Sequence, residues 1–111
     1  MRIVITGGGG FIGSYIAEEA IKQKHEVIII DKFLNIRIQN AKIFYIKADI
    51  NNERLLKKII KKNDVIFHLA AISDIDEASL NPIKTINENI LTTVKLLEIF
   101  RLKKIKKFIF E

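Results

Sequence analysis

Cysteine is absent, which excludes disulfides and thiolate metal sites. Histidine occurs only at positions 25 and 68, too far apart in sequence to read as a metal pair. No apolar run approaches the length that spans a bilayer. The amino terminus passes directly into a strand-like run without a signal-peptide pattern. The expectation is a cytoplasmic domain with no membrane attachment. Proline occurs once, at Pro82, where it suits the first turn of a helix. No internal repeat or low-complexity linker is visible, and 111 residues bound the chain to one domain.

The charge is of predominantly one sign: 19 basic residues against 13 acidic ones give a net charge of +6. The lysines gather at Lys57-Lys58, at Lys61-Lys62 and from Lys95 to Lys107. No aromatic residues interleave with them as a single-strand binder would require. They read as solvated helix faces with a weak general attraction for anions, and no nucleic-acid partner is expected.

The informative segment is Met1 to Gly13, MRIVITGGGGFIG. Ile3-Val4-Ile5 is a continuous apolar run, as in a parallel strand buried on both faces. It breaks into Gly7 to Gly10 and restarts as a helix with Ile12, Ile16 and Ala20 at helical spacing. A strand that breaks into glycines and resumes as a helix holds the pyrophosphate of a dinucleotide. Gly7 supplies the tight turn, Gly10 keeps side chains out of the way of a phosphate, and Gly13 lets the helix pack closely. The helix start, Phe11-Ile12-Gly13, offers free N–H groups and a positive dipole end. A second strand, Glu26 to Asp31, ends in an acid 18 residues beyond Gly13. An acid there accepts hydrogen bonds from adenosine ribose hydroxyls and repels a 2′-phosphate. That favours NAD over NADP, although Lys32 and Arg37 offer charge to neutralise such a phosphate.

Further strands are expected at Lys42–Ile46, Asp64–Ala71 and from Lys107 onward through Phe108-Ile109-Phe110. A helix capped by Asn51 or Asn52 carries the stripe Leu55, Leu56, Ile59 and Ile60. A polar connection, Ser73 to Asn81, leads to a helix from Pro82 to about Arg101 with Ile83, Ile86, Ile90, Val94 and Leu97 on one stripe. This alternation implies an α/β fold of Rossmann type: a parallel sheet in the order 3-2-1-4-5 with helices on both faces, cut short after the fifth strand. The glycine turn and Ala70-Ala71 then lie at the switch point where ligands bind.

Several motifs in correct order extend this reading. Thr6 to Gly13 (TGGGGFIG), His25-Glu26-Val27 up to Asp31, Asp49-Ile50, His68-Leu69-Ala70-Ala71, Asn89 to Glu98 and Lys107 to Phe110 resemble the amino-terminal part of the extended short-chain dehydrogenase/reductases, the nucleotide-sugar epimerase and dehydratase group. The resemblance implies NAD as cofactor. It places Lys32 beside the ribose acid, Asp49 and Ile50 against the adenine, and Leu69, Ala70 and Ala71 along the cofactor. It implies that Asn89 supports the fourth strand and that the last helix joins a dimer bundle, so a homodimer through this helix or the last strand is expected. His68 reads as a packed residue rather than a proton shuttle. Ser73, Asp74 and Asp76 read as solvated loop residues rather than a substrate wall. Two positions depart from the pattern: Lys24 and Thr92 stand where the family usually has glycine.

The family's chemistry uses a Tyr-x-x-x-Lys pair, with lysine lowering the phenol pKa. Tyr15 and Tyr45 are followed four residues later by Glu19 and Asp49 instead. No serine-histidine-acid or paired-carboxylate set replaces the pair. Residues 1–111 are therefore expected to form a partial NAD-binding domain without a substrate domain. A nucleotide sugar would be a partner only if missing sequence were supplied. The alternative expectation is a stand-alone NAD-binding or interaction module.

Overall fold

The computed structural model describes residues 1–111. Five parallel strands form one sheet: β1 (Arg2–Thr6), β2 (Glu26–Asp31), β3 (Ile43–Lys47), β4 (Val65–His68) and β5 (Lys107–Phe110). Their order is β3-β2-β1-β4-β5, as the alternation of elements predicts. β1 is central, with Ile3 opposite Val27 on one side and Val65 on the other.

Alternation along the strands divides the core into two layers. Val4, Ile28, Ile30 and Ile66 face α2 (Glu53–Ile59) and α5 (Thr92–Lys103), meeting Leu56, Ile60, Leu96 and Ile99. Ile3, Ile5, Val27 and Ile29 face α1 (Phe11–Lys22), meeting Ala17 and Ala20. Both faces of the central strands are thus covered, which is why their sequences run apolar without a break.

Four details differ from the sequence reading. The buried face of α1 is Gly13, Ser14, Ala17 and Ala20; of the expected stripe Ala20 lies on it, Ile16 is partly buried and Ile12 is exposed. Small residues win because the helix lies close over the glycine turn. Strand β4 ends at His68, three residues sooner than expected, which frees Leu69 to Ala71 for the cleft. Within the polar connection, α3 (Ile75–Leu80) forms, capped by Asp74, whose carboxylate accepts from the Glu77 N–H at 2.8 Å. An Asp followed three residues later by Glu is a capping signature legible in the sequence.

The fourth difference concerns the last helical stretch. It runs through α4 (Pro82–Ile86), a π turn (Asn87–Leu91) and α5. Its buried residues are Thr92, Leu96 and Ile99, whereas Ile83, Ile86, Ile90, Val94 and Leu97 are exposed. The stretch is apolar on two sides. The π turn adds a residue to the local repeat and so shifts which side meets the sheet.

The chain leaving α1 and the chain leaving α5 each turn on a left-handed lysine where glycine is the usual choice. Lys24 has φ of 66° and Lys104 has φ of 52°. Each closes its helix through paired backbone bonds, with His25 N–H donating to the Ala20 carbonyl and Ile105 N–H to that of Phe100. At the far end of the sheet the Arg2 guanidinium forks onto Asp64 at 2.8 and 2.7 Å and also donates to the Ile59 carbonyl. Asp64 holds the Arg2 pKa above its ordinary value. This pair ties β1 to the chain entering β4.

No helix is long and apolar enough to cross a membrane.

Candidate dinucleotide site

The carboxyl ends of the strands open into a cleft of about 780 Å³. Its floor is the turn between β1 and α1. Gly7 has φ of +71°, and a Cβ there would stand 2.8 Å from the backbone nitrogen of Ala70. The turn therefore requires glycine for both its conformation and its contact with the loop after β4. A Cβ on Gly13 would meet the Gly8 Cα at 2.5 Å. Gly13 thus seats α1 on the glycine turn itself rather than on the strand. Gly10 differs: its Cβ would meet only the Gly7 carbonyl oxygen at 3.3 Å and otherwise open space. It is the cap of α1 and provides no side-chain hydrogen bond to the first turn. The N–H groups opening α1 are left for an anion, and the space above Gly10 is what a Cβ would fill. This arrangement fits a pyrophosphate.

Asp31 closes the next part of the wall. Its Oδ2 accepts from the Gly9 N–H at 3.0 Å, and its Oδ1 accepts from the Phe33 N–H at 3.0 Å. Each oxygen retains capacity for another donor. Lys32, one residue on and beyond the end of β2, lines the same cleft. Its ammonium donates to Glu88 at 2.8 Å and lies 3.6 Å from Asp49. The Glu88 hydrogen bond leads in holding the Lys32 pKa above its ordinary value. Asp49 also caps a turn, accepting from the Asn51 N–H at 2.8 Å, and this bond leads in lowering its pKa. Ile50 is buried behind it.

The opposite wall is organised by His68. Burial lowers its pKa to about 4, so the ring is neutral and its two nitrogens have opposite roles. The Thr93 hydroxyl donates to the Asn89 carbonyl at 2.7 Å and so accepts from His68 Nε2 at 2.8 Å. The unprotonated Nδ1 then accepts from Thr6 Oγ1 at 2.7 Å. The network assigns this tautomer and links the ends of β1 and β4 to α5. Asn89 extends it, its side chain accepting from the Ile72 N–H at 2.7 Å and donating to the Ile72 carbonyl at 2.9 Å. His68 is a packed, structural residue, and Leu69 to Ala71 are held between these anchors. At Thr92, the other departure from the family pattern, the buried hydroxyl lies 2.8 Å from Asn51 Oδ1 and 3.0 Å from the Asn87 carbonyl.

Every residue that the sequence singled out for the cofactor lines this one cleft: Gly7 and Gly10 to Gly13 at its floor, Asp31 and Lys32, Asp49 and Ile50, and Leu69 to Ala71. Arg37 does not. Sequence reasoning missed Phe33 and Glu88 as lining residues, and Ser73 and Asp74, read as solvated loop residues, line the cleft as well. Phe33 had a signal, because it follows the strand-ending acid by two. Glu88 had none, because its partner is 56 residues away.

Comparison with known proteins agrees with this geometry. A family model described as the NAD dependent epimerase/dehydratase family matches residues 3–111. A UDP-glucose 4-epimerase of Klebsiella pneumoniae is 28% identical over 121 residues, covering 99% of this chain and 87% of the relative. A putative UDP-glucose 4-epimerase of Methanocaldococcus jannaschii is 36% identical over 111 residues, covering 97% of this chain and 36% of the relative. The crystal structure of the UDP-glucose-4-epimerase of Stenotrophomonas maltophila, with bound NAD and formylated UDP-arabinopyranose, superposes with a TM-score of 0.88 at 26% identity, covering 99% of this chain and 36% of that one. Apart from the Klebsiella relative, the chain therefore spans about a third of the proteins it resembles here. With the glycine turn, the strand-ending acid and the sheet order all in place, the chain belongs to the NAD dependent epimerase/dehydratase family.

Proposed function

We propose that this chain binds NAD in the cleft, as the amino-terminal portion of a nucleotide-sugar epimerase or dehydratase-like protein. The observation that carries the reading is the open space above Gly10, at the uncapped start of α1, in a cleft that the Asp31 carboxylate also lines. In this reading the pyrophosphate rests on Gly7, Gly10 and the first turn of α1, formed by Phe11, Ile12 and Gly13. Asp31 accepts from the adenosine ribose, Asp49 and Ile50 flank the adenine beside Lys32, and Leu69 to Ala71 guide the nicotinamide half. Bound NAD would supply a hydride acceptor for a sugar carbinol carbon. The residues present bind and orient it, while His68, neutral and saturated by two threonines, moves no proton.

The chain carries no Tyr-x-x-x-Lys pair, so we assign it binding without complete sugar chemistry. Residues 1–111 are then a partial NAD-binding domain, with a nucleotide sugar as partner once a substrate portion is supplied. The exposed stripe from Ile83 to Leu97 supports a homodimer, and the nucleotide cofactor supports a cytoplasmic location.

The test is calorimetric titration with NAD. Micromolar binding, about −8 kcal/mol, is expected. No binding up to millimolar NAD would count against the reading and favour an interaction module.

A further inference from the structure

We propose that Glu88 is a specificity-determining residue for the cofactor: by holding the Lys32 ammonium, it withholds from a 2′-phosphate the cation that would neutralise it. The inference rests on the NAD reading of the cleft. An acid at the end of β2 disfavours a 2′-phosphate, but a neighbouring cation can offset it. Lys32 immediately follows Asp31 and lines the same cleft. Free, it would be that cation.

Two carboxylates hold it instead, from two other parts of the fold. Glu88, from the π turn, makes the shorter contact at 2.8 Å, and Asp49, from the turn before α2, stands at 3.6 Å. The Glu88 side chain is 24% exposed against 48% for Asp49. The less solvated carboxylate gives the stronger hold, because water screens it less. The cleft's other lysine, Lys84, lies 3.3 Å from Glu77. Every lysine of the cleft is thus already paired with an acid. A 2′-phosphate adds up to two negative charges and would meet Asp31 with no unengaged cation beside it.

The experiment is titration of the chain with NAD and NADP by calorimetry, for the wild type, Glu88→Gln and the double variant Glu88→Gln/Lys32→Met. Glutamine keeps the size of Glu88 while removing the stronger of the two holds on the ammonium, leaving Asp49 at 3.6 Å. The affinity ratio of NADP to NAD is expected to rise by about tenfold in Glu88→Gln, the scale of one charge-assisted contact. It should return to the wild-type ratio in the double variant. An unchanged ratio in Glu88→Gln, with NAD still bound, overturns this inference and leaves the NAD reading standing. A gain that survives the loss of Lys32 also overturns it, assigning the effect to the removed charge alone. A wild type that binds neither dinucleotide overturns the NAD reading and this inference together.

Discussion

Oδ2 of Asp31 accepts a hydrogen bond from the Gly9 N–H at 3.0 Å. The acid that a dinucleotide's ribose would meet is therefore also a strut of the turn that would hold its phosphates. Truncating it removes two functions at once, and Asp31→Ala cannot separate them. Asp31→Asn keeps one acceptor oxygen for the turn. Its thermal stability should stay within about 1 kcal/mol of wild type. Its NAD affinity should fall by about tenfold, because the charged acceptor is lost. Equal NAD affinity in both proteins would show that the carboxylate serves the turn and not the ribose.

The glycines divide by the same logic. Gly13→Ala drives a Cβ into the Gly8 Cα at 2.5 Å, a backbone clash that neither partner can relieve by rotating a side chain. A loss of about 3 kcal/mol or more is expected. Gly10→Ala meets only one oxygen at 3.3 Å, so it should melt within a few degrees of wild type. Its methyl group stands where the phosphate would come, and NAD binding should weaken by more than about tenfold. Melting curves and titrations on both variants check the contrast. A Gly10→Ala protein that binds NAD normally would move the phosphate elsewhere.

Acid sensitivity follows from His68. Its folded pKa is about 4 against an ordinary 6.5. Between those values the unfolded chain binds a proton that the folded chain refuses, so stability rises with pH across that window. The contribution is complete above 6.5 and is lost as pH falls towards 4, amounting to about 3 kcal/mol. Denaturant titrations at several pH values should show this slope, and His68→Gln should flatten it. Imidazole resonances of His68 that titrate near neutral pH would contradict a neutral, buried ring.

The outward stripe of the last helical stretch predicts association. Ile83, Ile86, Ile90, Val94 and Leu97 are exposed on one side, an arrangement that favours burial against a second copy. Light scattering at micromolar concentration should give a dimer mass, and Ile90→Lys should shift it to monomer. A monomeric wild type would count against the homodimer.

Much of the site was legible because its parts are local. The glycine turn, the acid ending β2 and the apolar strands all announce themselves within a few residues. Backbone conformation and side-chain period are short-range properties. Where two short-range signals competed, the sequence left the choice open. The last helical stretch is apolar on two sides, and periodicity alone cannot say which one meets the sheet.

What the sequence determined by itself is the succession of strands and helices, hence the order β3-β2-β1-β4-β5, since right-handed crossovers leave few alternatives. It also determined where glycine is indispensable. Only the tertiary structure decided which face of α5 is buried, that Asp64 receives Arg2, that His68 is closed between Thr6 and Thr93, and that Lys32 is held by Glu88. Each of these side-chain pairings joins residues at least 25 positions apart. Such pairs form because packing the sheet brings their elements together, and that meeting leaves no periodic trace in either partner's own segment.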